Sequence, residues 1–299
     1  MTAAISVKGL TKRYGQLTAV DNISFSLEPE KIYGLIGRNG AGKTTIMRML
    51  TAQTFVTAGE VMIFGERPYE NNLVLPKICF MKESQRYPDH YKVTDVLDIA
   101  SVLFPEWDKS YADSLMRDFE LPYKQLVTKL SRGMLSSLGI IVGLASRASL
   151  TIFDEPYLGL DAVARELFYD RLLQDYAEKP RTIIMSTHLI DEVSRILEHI
   201  LLIDKGRLVL DTDADSLRGS AYTVMGPAAS VETFVQGRNI MSRETFGGYL
   251  KISVHELLDT GAQRRAQELG LELSSVSLQQ LLVHLTGGKK PIVREEEAI

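Results

Sequence analysis

The 299-residue sequence contains one cysteine, Cys79, and no apolar run long enough to span a bilayer, which takes roughly 20 residues. A single cysteine excludes an internal disulfide and suits a reducing cytosol, where it is most simply a small buried apolar residue. The first residues lack the charged and apolar regions of a signal peptide. We therefore expect any membrane role to come through a partner.

The sequence also lacks an excess of positive charge. Its formal net charge is -4 and its isoelectric point is near 5.8, which argues against a surface devoted to nucleic acid. Hydrophobic residues make up 45% and charged residues 24%, as in ordinary globular proteins. The length favours one large domain and a small one.

Residues 37–45 read Gly-Arg-Asn-Gly-Ala-Gly-Lys-Thr-Thr, which fits the phosphate-binding pattern G-x-x-x-x-G-K-[ST]. Glycines permit positive φ angles, so consecutive N–H groups can surround an anion at the start of a helix. We expect Lys43 to reach the β- and γ-phosphates, Thr44 to ligate Mg²⁺ and Thr45 to contact the α-phosphate. The other residues predicted to bind the nucleotide in this loop are Gly37, Asn39, Gly40 and Gly42.

The neighbouring segments agree with a nucleotide-binding α/β fold. Lys31 to Ile36 reads as a buried strand that enters the loop, and Thr44 to Thr51 continues as a helix. Short strands with turn residues between them predict an antiparallel sheet beside the parallel one. These strands are Ile5 to Leu10, Ile23 to Leu27 and Val61 to Phe64.

Tyr14 lies in a polar loop, where an aromatic ring has little core to join. With a phosphate loop in the chain, stacking on adenine is the interpretation we favour, and a plain surface tyrosine is the alternative.

Two carboxylates follow a later buried strand, Ser149 to Phe153. Asp154 and Glu155 would lie at the carboxyl edge of a parallel sheet, where such sheets bind ligands. We predict that Asp154 holds Mg²⁺ through water and that Glu155 orients the attacking water. The strand Arg181 to Ser186 leads to His188 at the same edge, which predicts a contact with the γ-phosphate.

The residues between these strands are predicted to be helical. Val93 to Phe119 has a helical apolar stripe, interrupted near Pro105 to Asp108. Leu130-Ser131-Arg132-Gly133-Met134 then opens a helix whose body, Leu138 to Ala145, is apolar on nearly all sides and should be buried. Ser131 is a suitable N-cap for this helix.

Taken together, these motifs resemble the nucleotide-binding domains of ATP-binding cassette (ABC) transporters, over roughly residues 5–211. The most specific feature is Leu130 to Met134, similar to the signature motif L-S-G-G-Q, which stands shortly before Asp154-Glu155-Pro156. Gly159-Leu160-Asp161 is similar to the D-loop and His188 to the switch histidine. The resemblance implies a P-loop NTPase fold with a parallel core sheet, an antiparallel β subdomain and a helical subdomain at about 93–147.

In this family two such domains enclose two ATP molecules. The resemblance therefore implies a head-to-tail dimer with itself or with a paralogous ATPase chain, in which Ser131, Gly133 and Asp161 contact the nucleotide held by the other chain. It also implies a separate transmembrane permease that holds this ATPase at the cytoplasmic face of the bacterial membrane, with ATP and Mg²⁺ as cofactors. Because Glu155 and His188 are both present, we expect ATP hydrolysis.

The sequence departs from the family pattern at three positions. Arg132 replaces a glycine and Met134 a glutamine of the signature motif, and Glu83 stands where the family has a glutamine. Glu83 could ligate Mg²⁺, although it adds negative charge beside the γ-phosphate. This variant, with Phe104 to Asp108 ahead of the signature, is similar to YtrB-like exporter ATPases of bacteria.

Beyond residue 215 the motifs stop. The predicted element order to residue 288 is strand, helix, strand, strand, helix, strand and a last helix, which predicts a small α+β domain that is possibly ferredoxin-like. A regulatory or dimer-contacting role and an inert cap remain equally open. Residues 289–299, with three consecutive glutamates, are predicted to form a flexible acidic tail.

Two functions are compatible with these features. The first is an ATPase subunit that docks on a membrane protein and drives export of a drug, peptide or lipid-like substrate. The alternative is a soluble ABC ATPase that acts on nucleic acid or ribosomes. The second is weaker, because such translation factors carry two cassettes in one chain and repair proteins carry a long coiled coil, and neither feature is found here.

Overall fold

The computed structural model describes residues 3–82 and 85–285. Contacts between Cα atoms divide the chain into two compact units. The first comprises the chain up to His188 together with Arg195–Asp211, and the second comprises Leu189–Ser194 and the chain from Thr212 onward. The predicted metal ligand Glu83 and the predicted acidic tail lie outside the described residues.

The strands and helices in the first half of the chain are numbered in chain order from β1 to α4. Their bounds are β1 Ile5–Tyr14, β2 Leu17–Leu27, β3 Ile32–Ile36, α1 Lys43–Leu50, β4 Ala58–Ile63, β5 Ile78–Met81, α2 Val93–Leu103, α3 Lys109–Asp118 and α4 Arg132–Ala145. The remaining elements are β6 Leu150–Asp154, α5 Ala162–Glu178, β7 Thr182–Thr187, α6 Ile190–Val193, β8 His199–Asp204, β9 Arg207–Asp213, α7 Ala214–Leu217, β10 Tyr222–Pro227, α8 Ala228–Val235, β11 Ile240–Phe246, β12 Tyr249–Val254, α9 Thr260–Glu268, β13 Glu272–Ser275 and α10 Leu278–Leu285.

Two sheets form the first unit. The larger has the strand order β5-β6-β7-β3-β8-β9, and its pairs from β5 to β8 are parallel. The smaller has the order β2-β1-β4 and is antiparallel. One apolar core joins residues of both sheets with α1, whose Ile46 and Met47 are fully buried. The prediction of an antiparallel sheet beside a parallel nucleotide-binding sheet is confirmed.

The register of the parallel strands aligns their carboxyl ends. Ile36 of β3 pairs with Thr187 of β7, and Asp154 of β6 pairs with Ser186 of β7. The loops that follow these strands therefore leave the sheet at one edge, and these are the loops that carry the phosphate-binding pattern, the two carboxylates and His188.

The helical region that begins at Val93 is divided into separate helices, a division that the apolar stripe alone does not indicate. The predicted stretch Val93 to Phe119 forms two helices, α2 and α3. α2 ends at Phe104, just before Pro105, and Asp108 caps α3 by accepting a hydrogen bond from the Tyr111 N–H at 3.0 Å. The break arises because proline disfavours helical geometry in the residue before it and aspartate supplies a new N-cap.

The second unit is an α+β domain. From β10 to β13 its element order is βαββαβ, and its four-stranded sheet has the order β11-β12-β10-β13 with all pairs antiparallel. This is the ferredoxin-like arrangement expected from the sequence. Its apolar core includes Tyr222, Phe234 and Ile252, all fully buried.

The short helix α6 belongs to this second unit, although the sequence analysis includes it in the first domain. Its Ile190 and Val193 are buried, and it packs against α10. The Gln279 N–H donates a hydrogen bond to Asp191 Oδ1 at 3.1 Å. Because these partners lie about ninety residues further along the chain, the sequence pattern of α6 alone could not reveal the association.

Candidate functional site

The loop between β3 and α1 depends on glycine at specific positions. A Cβ atom at Gly37 would lie 2.3 Å from the Ile203 carbonyl oxygen, and one at Gly42 would lie 2.7 Å from the Ala19 carbonyl oxygen. Gly42 also has a φ of 109°, in the left-handed region. Neither position accepts a side chain without displacing backbone. The sequence pattern therefore coincides with a backbone conformation that only glycine allows.

Lys43 is the first residue of α1 and is 6% exposed. Its Nζ donates a hydrogen bond to the Gly37 carbonyl oxygen at 2.7 Å and lies 3.3 Å from Glu155 Oε1. A buried ammonium group needs partners that compensate for lost hydration, and these two contacts supply them. The lysine is thus held across the loop, with its charge at the carboxyl edge of the sheet.

Asp154 connects α1 to the strand β7. The Thr44 hydroxyl donates to Asp154 Oδ2 at 2.9 Å, and the Ser186 hydroxyl donates to Asp154 Oδ1 at 2.7 Å. Ser186 is fully buried. Its oxygen in turn accepts the backbone N–H of Glu155 at 2.9 Å. One serine therefore bonds to the Asp154 carboxylate and to the backbone of Glu155, a role that the sequence pattern does not reveal.

Glu155 has a φ of 51°, an uncommon value for a residue other than glycine. Such a conformation persists only where surrounding contacts hold it, and here the hydrogen bond to Ser186 is one of them. The residue is 6% exposed, and its Oε2 lies 2.6 Å from His188 Nδ1 and within hydrogen-bonding contact of the Tyr157 hydroxyl. We call the residues Lys43, Thr44, Asp154, Glu155 and His188 the strand-edge cluster.

An open cleft of about 890 Å³ borders this cluster, within the roughly 300–1,000 Å³ of ordinary ligand sites. Tyr14 stands at its border with 47% of its surface exposed, and Lys12 Nζ lies 5.0 Å from the centre of its ring. The predicted residues that line the cleft are Tyr14, Asn39, Gly40, Gly42, Lys43, Thr44, Thr45, Glu155 and His188.

Three of the predicted residues that do not line this cleft, Ser131, Gly133 and Asp161, lie at the starts of two helices. Ser131 caps α4 by accepting the Met134 N–H at 3.2 Å, and Asp161 caps α5 by accepting the Ala164 N–H at 2.8 Å. A Cβ atom at Gly133 would lie 2.7 Å from the Gly159 carbonyl oxygen, so the two helix starts are packed together. We call Ser131, Gly133 and Asp161 the helix-start surface. Ser131 and Asp161 are exposed.

The oxygen and nitrogen atoms of the cluster determine which metal ion it could bind. Within residues 3–82 and 85–285, no group of three or more His, Cys, Asp and Glu side chains is arranged to bind a metal ion. Thr44 and Asp154 nevertheless bring a hydroxyl and a carboxylate together at 2.9 Å. Mg²⁺ typically binds one or two protein oxygens together with phosphate oxygens and water, so these two residues fit it.

The described part of the chain has no helix that is both long and apolar enough to traverse a lipid bilayer.

A family profile described as "ABC transporter" matches residues 20–158. The ABC transporter ATP-binding protein YtrB of Bacillus subtilis is 25% identical over 290 residues, which cover 96% of this chain and 99% of that protein. The bacitracin transport ATP-binding protein BcrA of Bacillus licheniformis is 33% identical over 223 residues, which cover 73% of this chain and 72% of that protein.

Among solved structures, a dimeric ATP-binding cassette in a post-hydrolysis state, bound to ADP and Pi, is similar to the chain with a TM-score of 0.62. The sequences are 19% identical, and the match covers 70% of this chain and 98% of that one. The likeness to this structure concerns the fold.

Proposed function

Since this chain belongs to the family of ABC transporter ATP-binding proteins and is an ATPase, we propose that it powers export through a separate permease subunit. The substrate class we infer is a drug, a peptide or a lipid-like molecule. The ATPase would be held at the cytoplasmic face of a bacterial membrane by the permease. Similarity to YtrB over nearly the whole chain and to a protein named for bacitracin transport supports this inference.

The observation that carries the proposal is the strand-edge cluster, in which a buried lysine, two carboxylates and a histidine meet at one edge of a parallel sheet. In this proposal Lys43 binds the β- and γ-phosphates and Thr45 contacts the α-phosphate. Tyr14 stacks on adenine at the border of the same cleft. The remaining loop residues, Gly37, Asn39, Gly40 and Gly42, form the phosphate cradle.

Glu155 and His188 perform the hydrolytic step in this proposal. A carboxylate that does not bind a metal can accept a proton from water, and it can hold that water in line with the γ-phosphate. His188, 2.6 Å from Glu155, is oriented toward the same place and would contact the γ-phosphate. The hydrogen bond from the Glu155 backbone N–H to Ser186 holds the left-handed backbone conformation from which this side chain projects.

Thr44 and Asp154 are the residues that would hold Mg²⁺, Thr44 directly and Asp154 through water. Bound there, Mg²⁺ would supply positive charge that offsets the negative charge developing during phosphoryl transfer. Ser186 restricts the rotation of the Asp154 carboxylate by donating to its other oxygen. Glu83, at the position of the family's glutamine, is a further predicted ligand of this metal.

The helix-start surface would contact the ATP that a second chain holds. Two exposed helix N-termini offer partial positive charge and N–H groups to an anion. Ser131, Gly133 and Asp161 would thus complete the site of the partner, which is either another copy or a paralogous ATPase chain. The solved ADP-bound cassette, described as dimeric, supports this arrangement.

Affinity purification of the chain from membranes of its own host tests the transport function. We expect a stoichiometric integral-membrane partner to copurify, and inside-out vesicles to accumulate the exported compound only with ATP. Glu155→Gln is the matched control, because it should assemble with the permease normally and abolish accumulation. Bound RNA or DNA in place of a membrane partner would instead favour the ABC ATPases that act on nucleic acid or ribosomes.

A further inference from the structure

Tyr157 lies two residues beyond Glu155, in the turn that leads from β6 toward α5. The turn is closed by a hydrogen bond from the Leu158 N–H to the Glu155 carbonyl oxygen at 3.1 Å. The tyrosine is 2% exposed. Its ring lies edge-on to the imidazole of His188, with ring centroids 5.6 Å apart and an angle of 66° between the planes. The phenol is thus enclosed within the strand-edge cluster.

The hydroxyl of Tyr157 contacts both residues proposed to act on the γ-phosphate. It donates a hydrogen bond to Glu155 Oε2 and accepts the backbone N–H of His188 at 3.0 Å. It also lies 2.9 Å from His188 Nδ1. One atom therefore links the carboxylate, the imidazole and the backbone of the loop that carries the imidazole.

The direction of these bonds follows from the groups involved. An ionised carboxylate only accepts, so the phenol proton is directed to Glu155, and the phenol oxygen is left to accept from His188. Burial, and next the hydrogen bond to Glu155, raises the pKa of Tyr157 above its ordinary value of 10.0. The phenol consequently keeps its proton at neutral pH and remains a donor.

Tyr33 provides a comparison, because its hydroxyl bonds to a group remote from the cluster. Tyr33, which is likewise 2% exposed, donates to the Glu28 carbonyl oxygen at 2.9 Å. Tyr33 fills a core position on β3, and its hydroxyl completes a turn. The Tyr33 hydroxyl thus bonds to a backbone carbonyl group, whereas the Tyr157 hydroxyl contacts the side chains of Glu155 and His188.

We propose that Tyr157 is a positioning residue for ATP hydrolysis, whose hydroxyl holds the Glu155 carboxylate and the His188 imidazole at a fixed separation. The inference rests on the roles proposed above for those two residues. Without the hydroxyl, the carboxylate can rotate away from the line of attack, and the backbone N–H of His188 loses its acceptor.

Tyr157→Phe tests this, because it removes the hydroxyl and keeps the ring. We expect kcat for ATP hydrolysis to fall about 10- to 100-fold, as for loss of a hydrogen bond to a charged group. The KM for ATP should change less than about twofold, since the hydroxyl does not contact Lys43 or Thr44. Steady-state ATPase assays of the purified full chain, with nucleotide affinity from a fluorescent ATP analogue, measure both quantities.

Tyr33→Phe is the matched control, with equal burial and the same deleted atom. Its kcat should remain within about twofold of wild type. Equal kcat values for Tyr157→Phe and Tyr33→Phe would overturn the proposal. If Tyr157→Phe does not fold, Tyr157→His, which restores a ring N–H, should hydrolyse ATP faster than Tyr157→Leu at similar nucleotide affinity; equal rates would also overturn it.

Measuring the effect of Tyr157→Phe in the Glu155→Gln variant distinguishes a failure of the positioning role from a failure of the function proposed above. In Glu155→Gln, Tyr157→Phe should lower the residual rate by a smaller factor than it does in the wild type, because part of the effect of the hydroxyl is exerted through that carboxylate. An undiminished effect in this background would contradict the positioning role. Full activity of Glu155→Gln alone would instead remove Glu155 from the proposed mechanism.

Discussion

The strand-edge cluster and the helix-start surface differ in how their polar groups are satisfied. In the cluster, Lys43, Asp154 and Glu155 are each at most 6% exposed and bond to other side chains of the cluster. At the helix-start surface, Ser131 and Asp161 are exposed and bond to the backbone of their own helix. The buried charged groups of the strand-edge cluster find their partners within the chain, whereas the helix-start surface faces outward.

This difference is the one expected of a site built from two chains. Buried charges must be paired within the fold, so one chain can assemble the catalytic half by itself. Helix N-termini at a surface keep the capacity to bind an anion that another chain presents. Changes in the first region should therefore act on the chain that carries them, and changes in the second on its partner.

The largest effect is expected inside the cluster. Glu155→Gln keeps the shape of the side chain but cannot accept a proton, so turnover should fall about 10²- to 10⁴-fold while ATP still binds. Turnover measured with a coupled assay and ATP affinity measured by titration separate the two effects. Activity within about tenfold of wild type would contradict the role assigned to this carboxylate.

A mixing experiment tests the comparison across chains. Ser131→Arg should bind ATP but fail to hydrolyse it, because the bulky cation displaces the helix start from the phosphate. Lys43→Ala should lose ATP binding, because it removes the buried ammonium group from the loop. A 1:1 mixture should recover about one quarter of wild-type turnover, for random pairing into two-fold dimers with independent sites.

The mixed dimer would have one complete site, formed by the loop of the Ser131→Arg chain and the helix start of the Lys43→Ala chain. Native mass spectrometry establishes that mixed dimers are present. Their failure to hydrolyse ATP would show that the sites act only in concert or that the natural partner is a paralogous chain. Hydrolysis by a strict monomer would refute the shared site.

The smallest effect is expected at a helix cap outside both regions. Asp108 caps α3 as Ser131 caps α4, and it also lies 3.2 Å from Arg147. Asp108→Ala should lower the free energy of unfolding by about 1 kcal/mol and leave turnover within about twofold. Urea unfolding followed by the fluorescence of Trp107, the single tryptophan, measures this effect locally.

The same cap predicts a pH dependence. The hydrogen bond from the Tyr111 N–H is the main cause that lowers the pKa of Asp108 from 3.8 to about 2. A lowered pKa in the folded state means that the ionised form is favoured by folding. The stabilisation should be complete above about pH 4 and disappear as the pH falls through about 2. A constant difference between wild type and Asp108→Ala over that range would contradict it.

Several features could be predicted from the sequence because they depend on local order. The phosphate loop needs glycine where the backbone leaves no room for a Cβ atom, as at Gly37. The glycines of the sequence pattern indicate this requirement directly. The strand predicted at Lys31 to Ile36 is observed at Ile32–Ile36, and the helix predicted at Thr44 to Thr51 is observed at Lys43–Leu50, because periodicity and turn residues are local signals.

Other features depended on which strands and helices became neighbours. Ser186 holds Glu155 across 31 residues of chain, and Tyr157 meets His188 across the same interval, because β6 and β7 are adjacent in the sheet. α6 joined the second unit through contacts with α10. Residue types and their spacing determined the family, the nucleotide site and the order of elements. Only the tertiary structure decided which side chains orient that site, because hydrogen bonds between distant residues require the strand pairing that brings them together.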